Sequence, residues 1–138
     1  SSLYPGDSYV DWTCIDGYNW GGTGWTSFTD LFASTYDSLL QLAPSKPVMI
    51  GETSSNESGG SKATWIASAA AALPTRFPQV RAFVWMNWNI PEDGTTYPWQ
   101  IESSSSAQAA FDAAVGSSYF LAGGGLGGLP LLSSIKAP

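Results

Sequence analysis

Pro47-Val48-Met49-Ile50-Gly51-Glu52 is a brief apolar run that closes on a carboxylate. A continuous run of this length, without helical spacing, reads as a strand buried on both faces, the kind found in parallel sheets. The flanking sequence repeats the theme. Upstream, Asp11-Trp12-Thr13-Cys14-Ile15-Asp16 forms an earlier run that opens into Gly17-Tyr18-Asn19-Trp20 and a loop rich in glycine. Downstream, Val80 to Trp88 forms a third, with Phe83, Val84 and Trp85 at its centre.

Helical patterns separate and follow these runs. From Ser27 to Leu42, Phe28, Leu31, Phe32, Tyr36, Leu39 and Leu40 recur at spacings of three and four, which predicts an amphipathic helix. Ser27 with Asp30 supplies an N-cap signal, and Pro44 a stop. After a polar loop from Thr53 to Gly60, an alanine-rich helix is expected from about Ser61 to Leu73, ended by Pro74. A long loop with Pro91, Gly94 and Pro98 precedes a last helix from Ser103 to Val115.

Strand–helix alternation of this kind predicts an α/β fold with parallel strands and right-handed crossovers. The pattern leaves a doubly wound sheet and a (β/α)8 barrel both open. A full barrel takes ~250 residues, so three such units in 138 residues would supply only part of one. Residues 1–120 therefore read as one structural unit. Leu121 to Pro138 is a Gly- and Leu-rich stretch with Lys136 as its only charge, and reads as a tail or linker.

Eleven acidic against five basic residues give a net charge of −6, which argues against binding nucleic acid. No apolar stretch reaches the ~20 residues of a membrane span. With no His and a single Cys, neither the usual zinc ligand sets nor a His-dependent nucleophile can be assembled, so no metal and no cofactor is expected. Acid–base chemistry must rest on carboxylates, with Tyr or Lys in support. Cys14, in an apolar run, is expected to be a buried thiol. Seven Trp, six Tyr and six Phe are many for one small core, and suit stacking on sugar rings as well as packing.

Ligands of parallel α/β folds bind beyond the carboxyl ends of the strands. Those ends here are Asp16 to Trp20, Glu52 to Ser55, and Trp85 to Asn89. An ionisable group closing a buried strand is costly unless it is hydrogen-bonded or used. Glu52 is thus the leading catalytic candidate, against the alternatives of a helix cap or a pair with Lys62. Glycosidic cleavage commonly needs two carboxylates. Asp16, Glu57, Glu92, Asp93 and Glu102 are the possible partners, and none stands out. Tyr18 can donate to a nucleophilic carboxylate. Trp85 and Trp88 offer a sugar platform, Asn87 a hydroxyl contact, and Trp20, Trp25, Tyr97 and Trp99 a cleft rim. If the strand stays regular to its end, alternation keeps Trp85 and Trp88 from both pointing inward.

Tyr4-Pro5-Gly6-Asp7, Tyr9-Val10-Asp11-Trp12 and Ile15-Asp16-Gly17-Tyr18-Asn19-Trp20-Gly21 resemble the sixth-strand region of glycoside hydrolase family 26, which holds endo-β-1,4-mannanases and related β-glucanases. Lys46 to Glu52 and Ala82 to Asn87 are similar to its seventh and eighth strands, and Trp99 to Ser104 to the approach to its last helix. The resemblance spans roughly residues 4 to 120. It implies the last three βα units of a (β/α)8 barrel (strands six to eight) and a retaining mechanism. By position it makes Glu52 the nucleophile, Tyr18 its hydrogen-bond partner, and Trp85 or Trp88 the stacking residue. The remainder of the barrel, with the acid/base Glu, is expected upstream, which would leave this chain alone inactive. The implied substrate is β-mannan or a related β-glycan, and by substrate class the location is extracellular. Asn19, Trp20, Trp25, Trp85, Asn87, Trp88 and Trp99 are the candidate substrate contacts. The alternative is a non-catalytic carbohydrate-binding fragment or module with aromatic sugar platforms.

Overall fold

The structure, a computed structural model, describes residues 3–89, 91–92 and 94–120. Three parallel strands, β1 (Thr13–Asn19), β2 (Val48–Ser55) and β3 (Val80–Trp85), form a sheet in the order β1-β2-β3. Helices α1 (Phe28–Leu42) and α2 (Lys62–Thr75) are the crossovers, and α3 (Ser105–Val115) follows β3 and packs on α2. The expected alternation is present as a three-stranded parallel α/β unit. The long loop after β3 also holds a two-residue antiparallel pair, β4 (Pro91–Glu92) with β5 (Thr95–Thr96). No described helix is long and apolar enough to cross a membrane. The 121–138 tail lies outside the described residues.

Local chemistry explains the helix boundaries. Ser27 Oγ accepts the Asp30 N–H at 3.1 Å, satisfying a donor that has no partner within α1. Ser61 and Ser104 cap α2 and α3 in the same way, through Thr64 N and Ala107 N. Pro44 lies beyond the end of α1, but Pro74 does not end α2: the helix runs to Thr75 with the proline in its last turn. It gives up one hydrogen bond and crowds the preceding turn there, with only one helical residue beyond it.

The three helices cover one face of the sheet. Phe28, Phe32 and Tyr36 of α1 and Trp65, Ile66 and Leu73 of α2 are buried against Ile15, Val48, Ile50 and Val80. Burying each large side chain contributes about 1.5–3 kcal/mol. Tyr36 also accepts the Gln79 N–H at 3.0 Å, tying α1 to the start of β3. On β1, Thr13, Ile15, Gly17 and Asn19 point to the helices, and Cys14, Asp16 and Tyr18 to the opposite face. Cys14 is therefore exposed rather than buried, because no described element covers that face.

β2 departs from simple alternation and from the expected end at Glu52. It continues for three residues to Ser55, so Thr53, Ser54 and Ser55 belong to the strand rather than to a loop. Past Ile50 its register shifts by one residue against both neighbours: Ile15 pairs with Ile50 but Asp16 with Glu52, and Phe83 pairs with Ile50 but Trp85 with Thr53. Gly51 is the extra residue of this β-bulge. A separate shift against β3 lies between Val48 and Met49. Val48, Ile50 and Thr53 face the helices, while Gly51 and Glu52, two residues in succession, face the open side.

Candidate active site

The bulge decides where Glu52 points. Unbroken alternation from Val48 and Ile50 would place its carboxylate among Phe28, Trp65 and Phe83, where an unpaired charge is costly. Gly51 absorbs the change of face. A Cβ there would stand 2.5 Å from Cys14 Sγ and 2.8 Å from Asp16 Oδ1, so a glycine gives this crossing the most room.

Tyr18 lies two pairs further along β1 than Asp16, opposite Ser54, on the same open face. Its hydroxyl donates to Glu52 Oε2 at 2.7 Å, a length typical of a bond to a charged acceptor. The phenol ring rests against Trp99 at 5.1 Å between centroids and against Trp20 at 5.8 Å. Trp99 stacks on Tyr97, and Trp20 meets both edge-on. Tyr18, Trp20, Tyr97 and Trp99 thus form one aromatic wall beside an exposed carboxylate. Trp99 is its buried member, since its carbonyl accepts from Ser54 Oγ at 2.8 Å and Trp85 Nε1 at 2.9 Å.

The other residues singled out in the sequence fall in different places. Asn19 points to the helices, is fully buried, donates to Ser55 Oγ at 2.9 Å and accepts from Thr26 N at 3.0 Å. Those bonds hold the β1–α1 loop and occupy its amide. Trp25 lies over Gly60, whose Cβ would meet the indole at 2.4 Å, on the helix side with Ser61 and Thr64. Trp85 also faces the helices, its ring between Trp65 and Phe111, on the same face of β3 as Phe83. Trp88 is 67 % exposed beyond the end of β3. Asn87 is engaged within its own loop, accepting from Ile101 N at 2.6 Å and donating to Glu102 Oε2 at 3.3 Å.

Among the possible second carboxylates, Asp16 is exposed on the open face in register with Glu52. Glu57 accepts from Ser103 and Ser104 hydroxyls at 2.7 and 2.8 Å, away from Glu52. Glu92 is in β4, and Asp93 lies outside the described residues. Among the described residues no cluster of His, Cys, Asp or Glu could hold a metal ion.

Sequence reasoning missed one residue that organises this region. Lys62, considered as a partner for Glu52, is instead buried and bonded to the segment 98–103. The signal was available: Lys62 is the first residue of a helix, where the macrodipole disfavours a cation unless something else holds it.

No family model matches the chain. It is 43% identical over 118 residues to Endoglucanase H of Acetivibrio thermocellus, an alignment that covers 82% of this chain. The chain spans 12% of that protein's length.

Proposed function

We propose that this chain carries the nucleophile half of a retaining glycoside hydrolase acting on a β-1,4-linked glycan. The observation that carries the reading is the 2.7 Å bond from Tyr18 to Glu52 on an open sheet face beside an aromatic wall. A phenol donating to a carboxylate fixes its orientation. Glu52 then attacks the anomeric carbon to give a glycosyl–enzyme ester, and water later releases the sugar. The acid/base carboxylate that protonates the leaving oxygen comes from outside this chain, and the chain alone is inactive.

In this reading the three parallel strands are the last βα units of a (β/α)8 barrel, with the open face of Cys14, Asp16 and Glu52 as its interior. The exposure of Cys14 and Val84 supports it, since both lack cover on a face that the rest of a barrel would close. Trp88 is the sugar platform in preference to Trp85, whose ring is already packed between Trp65 and Phe111. The family 26 resemblance favours β-mannan as substrate, whereas the name of the 43% identical relative favours a glucan. Both polymers are extracellular substrates, which supports a location outside the cell.

The test is Glu52→Gln in the full-length protein, assayed on β-mannan and β-glucan. Turnover is expected to fall by at least about a thousandfold, the scale of losing a nucleophile, with the fold retained. Near-normal turnover of the variant on the polymer the wild type cleaves would refute the assignment.

A further inference from the structure

Lys62 has no exposed surface. Its Nζ donates to Pro98 O at 2.7 Å, Gln100 O at 2.6 Å and Ser103 Oγ at 2.9 Å, and lies 5.7 Å from the centre of the Trp85 ring. An ammonium has three N–H donors, and all are used. Two of the acceptors are the carbonyls of the residues on either side of Trp99. Ser103 passes the contact on, donating to Glu57 Oε1, which also takes the hydroxyl of the α3 cap Ser104.

We infer that Lys62 is a positioning residue: by clamping the carbonyls that flank Trp99 it sets the ring against which Tyr18 aims its hydroxyl at Glu52. The inference rests on the proposed role of Glu52. The chain of contacts is short, from Lys62 to the backbone at Trp99, from its indole to Tyr18, and from Tyr18 to the carboxylate.

The clamp carries its own titration. Burial pushes the Lys62 ammonium down to about 8, against the opposing pull of Glu57, in the loop before α2, and Glu102, in the turn before α3. The neutral amine keeps only two donors for three acceptors, so one contact is lost as pH rises through that value. Global stability moves the other way. The folded pKa lies below the unfolded one, so this group's contribution to stability is smallest below about 8 and grows as pH rises towards 10.5. A local loosening without global weakening is the signature.

The full-length protein should therefore show a one-proton change in near-ultraviolet circular dichroism, centred near 8, with a constant far-ultraviolet spectrum. The scan runs from about pH 6.5 to about 9.5, mostly below the tyrosine range. Lys62→Met should abolish that change and lower kcat on the cleaved glycan by about 10- to 100-fold, with a smaller effect on KM. A flat wild-type titration would overturn the inference, and needs no variant to fold. So would a folded Lys62→Met protein with wild-type kcat, even where Glu52→Gln abolishes activity. A wild type that cleaves neither glycan defeats the functional reading itself, a different outcome from either of these.

Discussion

Replacing Tyr18 by Phe removes one hydroxyl and leaves the ring contacts with Trp99 and Trp20 in place. The effect can be estimated from the bond it deletes. A hydrogen bond to a charged group contributes about 1.5–3 kcal/mol. Glu52 is solvent-exposed, so water can replace part of the loss, and the lower end of that range applies. At 1.36 kcal/mol per tenfold in rate, about 1.5 kcal/mol corresponds to roughly a tenfold fall in kcat/KM. The fall should appear mainly in kcat, because the phenol holds the attacking carboxylate rather than the sugar. Initial rates of reducing-sugar release from β-glucan and β-mannan over a range of concentrations separate the two parameters. Unchanged near-ultraviolet circular dichroism would show the aromatic wall intact. A folded Tyr18→Phe protein with kcat within about twofold of wild type would refute the link from Tyr18 to Glu52; so would a loss confined to KM.

Two further substitutions test the scaffold behind the site. A Cβ on Gly17 would stand 2.9 Å from Cε1 of the buried Phe32 and 3.1 Å from Leu31. Gly17→Ala should therefore cost about 1–3 kcal/mol through overpacking, read as a lower urea midpoint; an unchanged midpoint would mean α1 sits less tightly on β1 than described. Asn19→Ala removes one buried and one part-buried bond and leaves the Thr26 N–H without its partner, at about 1–3 kcal/mol. It should lower stability while leaving KM of the folded enzyme unchanged, and a raised KM at normal stability would instead make Asn19 a sugar contact.

The sequence was most legible where a pattern is local. The spacing from Phe28 to Leu40 and the Ser27 cap specify α1 within a residue, because periodicity and capping act within a single turn. Glu52 could be singled out for a related reason: a carboxylate closing an apolar run is conspicuous whatever surrounds it. The polar residues after it were harder. Thr53-Ser54-Ser55 reads as a loop, yet the three are buried strand residues, with the Ser54 and Ser55 hydroxyls met by the Trp99 carbonyl and the Asn19 amide. Those partners lie 45 and 36 residues away, beyond the reach of any window of local pattern. Lys62 was misjudged on the same ground, since its acceptors are two carbonyls and a serine hydroxyl 36 to 41 residues distant.

The face on which each candidate lies depends on Gly51. Alternation along β2, counted from Val48, gives Glu52 to the helices and Thr53 to the open side; the one extra residue exchanges them. On β3, Trp85 shares the helix face with Phe83 by alternation, meets Trp65 and Phe111 there and donates to the Trp99 carbonyl. The bulge exposes the carboxylate, and the face of Trp85 lets it support Trp99, whose ring backs Tyr18. The bulge, the Trp85 bond and the Lys62 clamp converge on that ring, so the Tyr18–Glu52 geometry rests on supports from β2, β3 and α2. A carboxylate held by a single hydrogen bond at an exposed strand would be free to turn. This one is aimed by a phenol whose own backing is buried.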